Sequence, residues 1–225
     1  MNDKELVAQH AARKIEDGMI VGLGTGSTAN CFIEALAQRH HQEGLRIKTV
    51  SSSMVSAIKA RELGLPLIAI EQLSGLDVYV DGADEVAPDM TLLKGRGYDL
   101  VREKLLAGAS REFWVLIDPG KRVSRIGERY PIPVEVIPFA WQLVKESIAA
   151  IGGTAELRQT ANKDGLVLTS HGSLVLDAVF TEASDSHKLD TVLNGIPGVV
   201  EHGIFSHLAS AVFCAKDGRI EEQLA

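Results

Sequence analysis

Hydrophobic positions in the first half of the chain alternate between two spacings. Over residues 6–15 they recur every three or four positions, as on one face of a helix, and Met19-Ile20-Val21 is then a short unbroken apolar run suited to a buried strand. The same alternation predicts helices over 29–38 and 54–63, with strands over 47–50, 67–70, 77–80 and 113–117. Helices interleaved with short β-rich runs point to an α/β fold in which helices cover a parallel sheet.

The pattern changes near residue 130, where Pro131, Pro133 and Pro138 mark a boundary or a rigid crossover. Beyond it we predict a helix over 141–151 that stops at Gly152-Gly153. A hairpin of 155–160 and 166–169 around Asn162-Lys163-Asp164-Gly165 follows, and then a helix over 186–193. Runs at 204–205 and 211–215 read as strands that return to the first sheet. The expected division is therefore a discontinuous larger domain, 1–130 plus 204–225, and a smaller α+β domain over 131–203.

A chain of 225 residues buries roughly 70% of its unfolded surface and needs no covalent staple. Its 30 acidic and 23 basic residues give a formal charge of −7, which argues against nucleic acid as a partner. A small anionic ligand is still compatible if a few cations and helix amides make a local positive pocket. Cys31 and Cys214 are far apart and read as buried hydrophobes rather than a disulfide or thiolate metal site. The polar N-terminus does not resemble a targeting segment, and no apolar run approaches bilayer length, so a cytoplasmic protein without a membrane partner is expected.

Each predicted strand ends in small polar or charged residues, and open α/β sheets bind ligands beyond the carboxyl ends of their strands. Thr25, Ser27, Thr28, Asp81, Asp84, Lys94 and Lys121 are thus expected to converge. Gly22-Leu23-Gly24-Thr25-Gly26-Ser27-Thr28 follows a strand and opens a helix, where free amides hold a phosphate. The alternative is a glycine-rich turn with a hydroxyl N-cap. The spacing is not G-x-G-x-x-G, which favours the phosphate of a small ligand over a dinucleotide.

Asp81 and Asp84 are close enough in sequence to enter one cavity and titrate together, or else they form an acidic surface turn. With no histidine nearby and Lys94 on the same rim, metal-free acid-base work is favoured over divalent metal binding. Glu103, within Arg102-Glu103-Lys104, reads by default as a solvated helix position. Asp99 lies four residues earlier, however, and a carboxylate kept beside another retains its proton more readily, as a general base near neutrality requires. The seven histidines show no ligand spacing, and neither Ser27 nor Ser52 has a histidine partner for acyl transfer.

With these motifs in order, the chain resembles type A ribose-5-phosphate isomerase over nearly its whole length. The resemblance rests on the glycine loop to Ala29, Ser51-Ser52-Ser53, Tyr79-Val80-Asp81-Gly82-Ala83-Asp84-Glu85, Arg102-Glu103-Lys104, Pro133-Val134-Glu135-Val136-Ile137-Pro138 and Ile196-Pro197-Gly198-Val199-Val200. It implies interconversion of ribose 5-phosphate and ribulose 5-phosphate without metal or organic cofactor. It also implies a Rossmann-like domain plus a small α+β domain, usually in a homo-oligomer, dimer or tetramer. Carried over by position, Thr25, Gly26, Ser27, Thr28, Asp81, Gly82, Ala83, Asp84, Lys94, Gly95, Arg96, Gly97 and Lys121 fall in substrate-binding segments. Glu103 matches the base that moves a proton between C2 and C1, with Asp81, Asp84 and Lys94 as its catalytic companions.

One segment departs from the family's usual Lys-Gly-Gly-Gly-Ala-Ala, reading Lys94-Gly95-Arg96-Gly97-Tyr98-Asp99. We expect Arg96 to reach phosphate or a sugar oxygen, Tyr98 to narrow the cavity, and Arg96 and Asp99 to compensate each other and retune Glu103. Other readings are a non-catalytic sugar-phosphate sensor, an isomerase of broadened sugar preference, a Schiff-base lyase using Lys94 and a nicotinamide oxidoreductase.

Overall fold

Asn2 starts the first helix with a reciprocal cap. Its side chain accepts from the Glu5 amide at 2.9 Å, and the Glu5 carboxylate accepts from the Asn2 amide at 3.0 Å. The computed structural model describes residues 2–97, 99–180 and 185–225. Tyr98, expected at the cavity wall, lies outside the described residues.

The elements in chain order begin with α1 (Asp3–Arg13), β1 (Ile20–Leu23), α2 (Ser27–Gln42), β2 (Lys48–Ser51), α3 (Met54–Glu62) and β3 (Leu76–Asp81). Next come β4 (Glu85–Val86), β5 (Leu92–Leu93), α4 (Leu100–Ala109), β6 (Ser110–Ile117) and β7 (Ile132–Val136). The chain continues with α5 (Trp141–Ala150), β8 (Gly153–Leu157), β9 (Leu174–Phe180) and α6 (Ser186–Asn194). It ends with β10 (Val199–His202), β11 (Ile204–Phe205), β12 (Ala211–Lys216) and β13 (Arg219–Leu224).

Met1–Ala83, Arg102–Lys121 and Leu208–Ala225 make one unit, and Asp84–Val101 with Arg122–His207 make the other. The first unit holds a six-stranded sheet in the order β13-β12-β6-β3-β1-β2. Its strands run parallel except the edge strand β13, which is antiparallel to β12. Val21, Leu23, Val78, Val80, Leu116 and Phe213 of the sheet pack with Phe32, Ile33 and Leu36 of α2 and Val7 and Ala11 of α1. This is the expected α/β architecture. From β1 the chain passes to β2 on one side and later to β3 on the other, so β1 and β3 flank the switch in strand order.

The second unit holds an antiparallel four-stranded sheet, β10-β7-β9-β8, and a three-stranded one, β11-β5-β4. Val134, Val136, Leu176, Ala178, Ile148 and Leu193 form the centre of its core. The mixed α+β character is as expected.

Several local expectations differ from what is observed. Ile204-Phe205 pairs antiparallel with β5 instead of returning to the parallel sheet. That pairing, with β4 on β5, groups 84–101, 122–130 and 204–207 with the second unit rather than dividing the chain at 130/131 and 203/204. Residues 67–70 form no strand: Leu67 bridges Thr49, and Ile70–Gln72 is a 3₁₀ turn. Pro66 gives its carbonyl to both the amide and the hydroxyl of Thr49, the Ile68 amide returns to the Thr49 carbonyl, and the chain then turns away. The inner part of the expected hairpin is present, with Gln159 bridging Leu166 antiparallel and the Thr160 and Val167 amides bonding the Gly165 and Arg158 carbonyls, but the outer part, β8, has β9 as its ladder partner. The proline-rich segment contributes a central strand, β7.

Candidate active site

In the first unit, the register Leu23↔Val80 brings the residues after β1 beside the end of β3. Asp81 is fully buried there. One carboxylate oxygen accepts from the amides of Thr25 at 3.0 Å and Gly82 at 2.7 Å, and the other accepts from the Tyr79 hydroxyl at 2.5 Å. Tyr79 precedes Asp81 by two positions in a strand, so both side chains leave the sheet on one face. Charge-assisted donors of this kind offset the cost of burying the carboxylate.

Glu103, in the first turn of α4, is also buried. Its negative charge is felt at Tyr79. Burial foremost, then the charges of Asp81 and Glu103 and the hydrogen bond to Asp81, push the Tyr79 hydroxyl well above its ordinary range, with an opposing hydrogen bond from Ser52. The phenol is thus bonded to one carboxylate and feels the charge of a second.

Beside them lies a cluster of hydroxyls. Thr25 Oγ1 is 2.7 Å from Ser53 Oγ, 3.0 Å from Ser52 Oγ and 3.2 Å from Ser56 Oγ. Ser56 donates to the Gly24 carbonyl at 2.6 Å, while Ser53 caps α3 by accepting from the Ser56 amide at 3.1 Å. The start of α2 is different. Its N-cap is Gly26, with φ of 102°, which has no side chain to cap the first amides, and its first turn holds no acidic residue. A sixteen-residue helix with such an end presents partial positive charge and free donors. Ser27 Oγ accepts from Lys4 Nζ at 2.9 Å. Lys121 closes a 3₁₀ turn, Pro119–Lys121, held where the Gly120 amide meets the Asp118 carboxylate at 2.9 Å.

In the second unit, Lys94 is buried just past β5. Its amide donates to the Gly203 carbonyl at 2.9 Å, and the Gly203 amide donates to Pro133 at 2.8 Å. Pro133 has no N–H to offer in return, which leaves the Gly203 carbonyl to Lys94. A Cβ at position 203 would sit 2.3 Å from the Lys94 carbonyl, so only glycine fits there. The ammonium lies 5.8 Å from the centroid of the Phe205 ring.

Arg96 is exposed, with its guanidinium carbon 4.0 Å from the Tyr130 ring centroid. Its amide reaches Asp84 at 3.4 Å. Tyr130 is fixed in turn by the buried carboxylate of Glu85, which accepts from the amides of Gly127, Arg129 and Tyr130 at 2.7, 2.7 and 2.9 Å. Arg96 and Asp99, expected to compensate each other, make their described contacts elsewhere. Asp99 accepts from Ser170 Oγ at 2.5 Å, and it precedes α4 rather than sharing a helix face with Glu103. The aromatic face offers the guanidinium a planar partner, and the serine gives the carboxylate a donor.

Comparison with known proteins decides the family. The profile described as "Ribose 5-phosphate isomerase A (phosphoriboisomerase A)" matches residues 48–219. The chain belongs to the ribose 5-phosphate isomerase A family. A family member from Thermococcus kodakarensis is 42% identical over 210 residues, covering 93% of this chain and 92% of its own. Another, from Methanothermobacter thermautotrophicus, is 43% identical over 212 residues, covering 94% and 93%. Among solved structures, ribose 5-phosphate isomerase A from Methanocaldococcus jannaschii superposes with a TM-score of 0.94 at 36% identity, covering 99% and 98% of the two chains. A D-ribose-5-phosphate isomerase in complex with phospho-erythronic acid gives 0.95 at 38% identity, covering both chains in full.

Within this isomerase family chain, the expected residues thus fall into two sets. Thr25, Gly26, Ser27, Thr28, Asp81, Gly82, Ala83, Glu103 and Lys121 belong to the first unit, and Asp84, Lys94, Gly95, Arg96 and Gly97 to the second. Thr25 is committed to the hydroxyl cluster through its side chain and to Asp81 through its amide. Among the described residues, no group of three or more His, Cys, Asp or Glu side chains is arranged to hold a metal ion. Sequence reasoning missed Tyr79, Ser56, Glu85 and Tyr130. For Tyr79 a signal was available: a tyrosine two positions before a strand-end carboxylate shares its face.

Proposed function

We propose that the protein interconverts D-ribose 5-phosphate and D-ribulose 5-phosphate through an enediolate. The observation that carries this reading is the pair of buried carboxylates, Asp81 and Glu103, whose charges both bear on the neutral Tyr79 hydroxyl. Isomerisation needs one group to take the proton from C2 of the open-chain aldose and return it to C1, and others to move protons between O1 and O2. Glu103 is the carbon base. Asp81, held by three donors, serves the sugar oxygens and ring opening.

The amides at the start of α2 take the phosphate dianion, with the hydroxyls of Ser27 and Thr28 and the ammonium of Lys121 as further donors. Lys94 offsets the charge of the enediolate oxygens, Asp84 orients a hydroxyl, and the amides and side chain of Gly95-Arg96-Gly97 complete the sugar contacts. The acidic balance of the chain suits a small-molecule metabolic enzyme of the cytoplasm rather than a nucleic-acid partner. A homo-oligomer accords with exposed Phe139 and Leu143 on and beside α5, and light scattering reads its size.

The test is a substrate panel run in deuterium oxide. Turnover of ribose 5-phosphate, with deuterium entering C1 of the ketose and free ribose and hexose phosphates turning over far more slowly, is the expected result. No turnover of ribose 5-phosphate, or a borohydride-trapped adduct on Lys94, would replace this reaction with another.

A further inference from the structure

Arg158, the residue after β8, contacts two places in the second unit at once. Its Nε lies 3.2 and 3.0 Å from the two carboxylate oxygens of Asp177 on β9, and its Nη2 lies 2.5 Å from one of them. The remaining nitrogen, Nη1, donates to three successive carbonyls, Gly95 at 3.0 Å and Arg96 and Gly97 at 3.4 Å each. The pair is largely shielded, with side chains 14% and 26% exposed. A surface ion pair between adjacent strands contributes little by itself. This one gathers the backbone that follows Lys94.

Peptide geometry gives that contact a direction. Across a trans peptide the carbonyl of one residue and the amide of the next point opposite ways, and no cis bond occurs among the described residues. Drawing the carbonyls of Gly95 and Arg96 onto Arg158 therefore turns the amides of Arg96 and Gly97 to the opposite side. The Arg96 amide is found there, 3.4 Å from the Asp84 carboxylate, a long bond that a better acceptor can displace. Gly95, with φ of 95°, makes the turn that lets three carbonyls share one donor. Successive amides aimed one way form a concave site for negative oxygen. Only a planar fork can hold a carboxylate with one edge and a loop with the other, so lysine is not an equivalent residue here.

We propose that Arg158, locked by Asp177, is a positioning residue for isomerisation: it holds the Gly95–Gly97 backbone so that the Arg96 and Gly97 amides donate to the sugar oxygens that carry charge in the enediolate. The inference rests on the isomerase reading above. It assigns Arg158 no contact with substrate, and it explains why the arginine is placed under a loop rather than at a surface.

The experiment compares wild type with Arg158→Lys, Arg158→Ala and Asp177→Asn. It measures kcat and KM for ribose 5-phosphate, inhibition by phospho-erythronate as a planar anionic stand-in for the enediolate, and the melting temperature. We expect kcat to fall ~10- to 100-fold in the arginine variants with KM changing far less, because a misplaced loop loses orientation rather than ground-state binding. Phospho-erythronate should weaken in step with kcat/KM, and added guanidinium ion, but not methylammonium, should restore part of the Arg158→Ala rate. Should Arg158→Ala not fold, Arg158→Lys and Asp177→Asn carry the same comparison. Folded variants with wild-type kcat overturn the proposal. So does a loss that follows the melting temperature alone, raises KM as much as it lowers kcat, and ignores guanidinium. Inactivity of the wild type on ribose 5-phosphate overturns the isomerase reading itself and is seen before any variant is compared.

Discussion

Asp81 occupies the volume that any side chain on Gly24 would need: a Cβ at position 24 would lie 2.2 Å from the Asp81 carboxyl carbon. The parallel register of β1 with β3 makes the two residues neighbours, and the Gly24 amide bonds the Val80 carbonyl at 2.9 Å. Gly24→Ala must therefore push the carboxylate away from the Thr25 and Gly82 amides. We expect a loss of ~1–3 kcal/mol in urea unfolding, the usual range for overpacking a closed site. Turnover should fall by ~10-fold or more as the carboxylate loses its position. Unchanged turnover in this variant would mean that the Asp81 position is not needed for the reaction.

Glu103 is assigned the proton transfer at carbon, and the amide of Glu103→Gln keeps its shape but cannot accept that proton. The expected result is a fall in kcat of ~10²- to 10⁴-fold with a much smaller change in KM. Deuterium uptake at C1 from solvent should fall with it. A variant that still exchanges the carbon proton at the wild-type rate would move the base elsewhere.

The alternating apolar runs made β1, α2, β3 and β6 legible, since each is buried locally in a regular pattern. Asp81 stood out because it ends an apolar run, whereas Glu103, between Arg102 and Lys104, read by default as a solvated helix position and was singled out by Asp99 four residues earlier and by the family resemblance. The β5–β11 pairing was not: Leu92-Leu93 and Ile204-Phe205 are two residues each and too short to show a period. The contact of Arg158 with Gly95 spans 63 positions, and nothing in the local sequence Glu156-Leu157-Arg158-Gln159 distinguishes a clamp from a solvated arginine. Arg96 and Asp99 looked like partners because they are near in sequence, whereas Tyr130 and Ser170 reach them from distant parts of the chain.

Tyr79 makes a prediction for alkaline stability. Burial, and then the charges of Asp81 and Glu103, hold its proton in the folded state well above the usual tyrosine range. Above about pH 10 the unfolded chain releases this proton while the folded one keeps it, so the group's contribution is present below that pH and is lost as pH rises. Tyr79→Phe should unfold more easily near neutrality by ~1–3 kcal/mol, because Asp81 loses a buried donor. Its stability should then decline less steeply than that of the wild type between about pH 9 and 11. Parallel declines in urea titrations over that range would show that another group is responsible.

Glu135 works in the acid direction. It is enclosed within β7, where Thr169 Oγ1 donates to one oxygen at 2.8 Å, while the other oxygen has no hydrogen-bond partner among the described residues. Burial raises its pKa foremost and the charge of Asp99 adds to this, with Thr169, Ser173 and His171 opposing. A carboxyl whose folded value exceeds its unfolded one contributes fully at low pH, and that contribution is lost as pH rises through the folded value. Above the ordinary glutamate range the unfolded chain gives up this proton freely, whereas the native state must either keep it or carry a charge that burial disfavours. Glu135→Gln keeps an acceptor for Thr169 without the charge, so it should be more stable than wild type at about pH 7, on the order of 1 kcal/mol for each unit by which the folded value is raised. The difference should close as pH falls below the ordinary glutamate value of about 4.3, where the carboxyl is protonated in the unfolded chain as well. Urea unfolding at the two pH values reads this directly. A variant less stable than wild type at neutrality would mean that the bond from Thr169 to the carboxylate outweighs its burial.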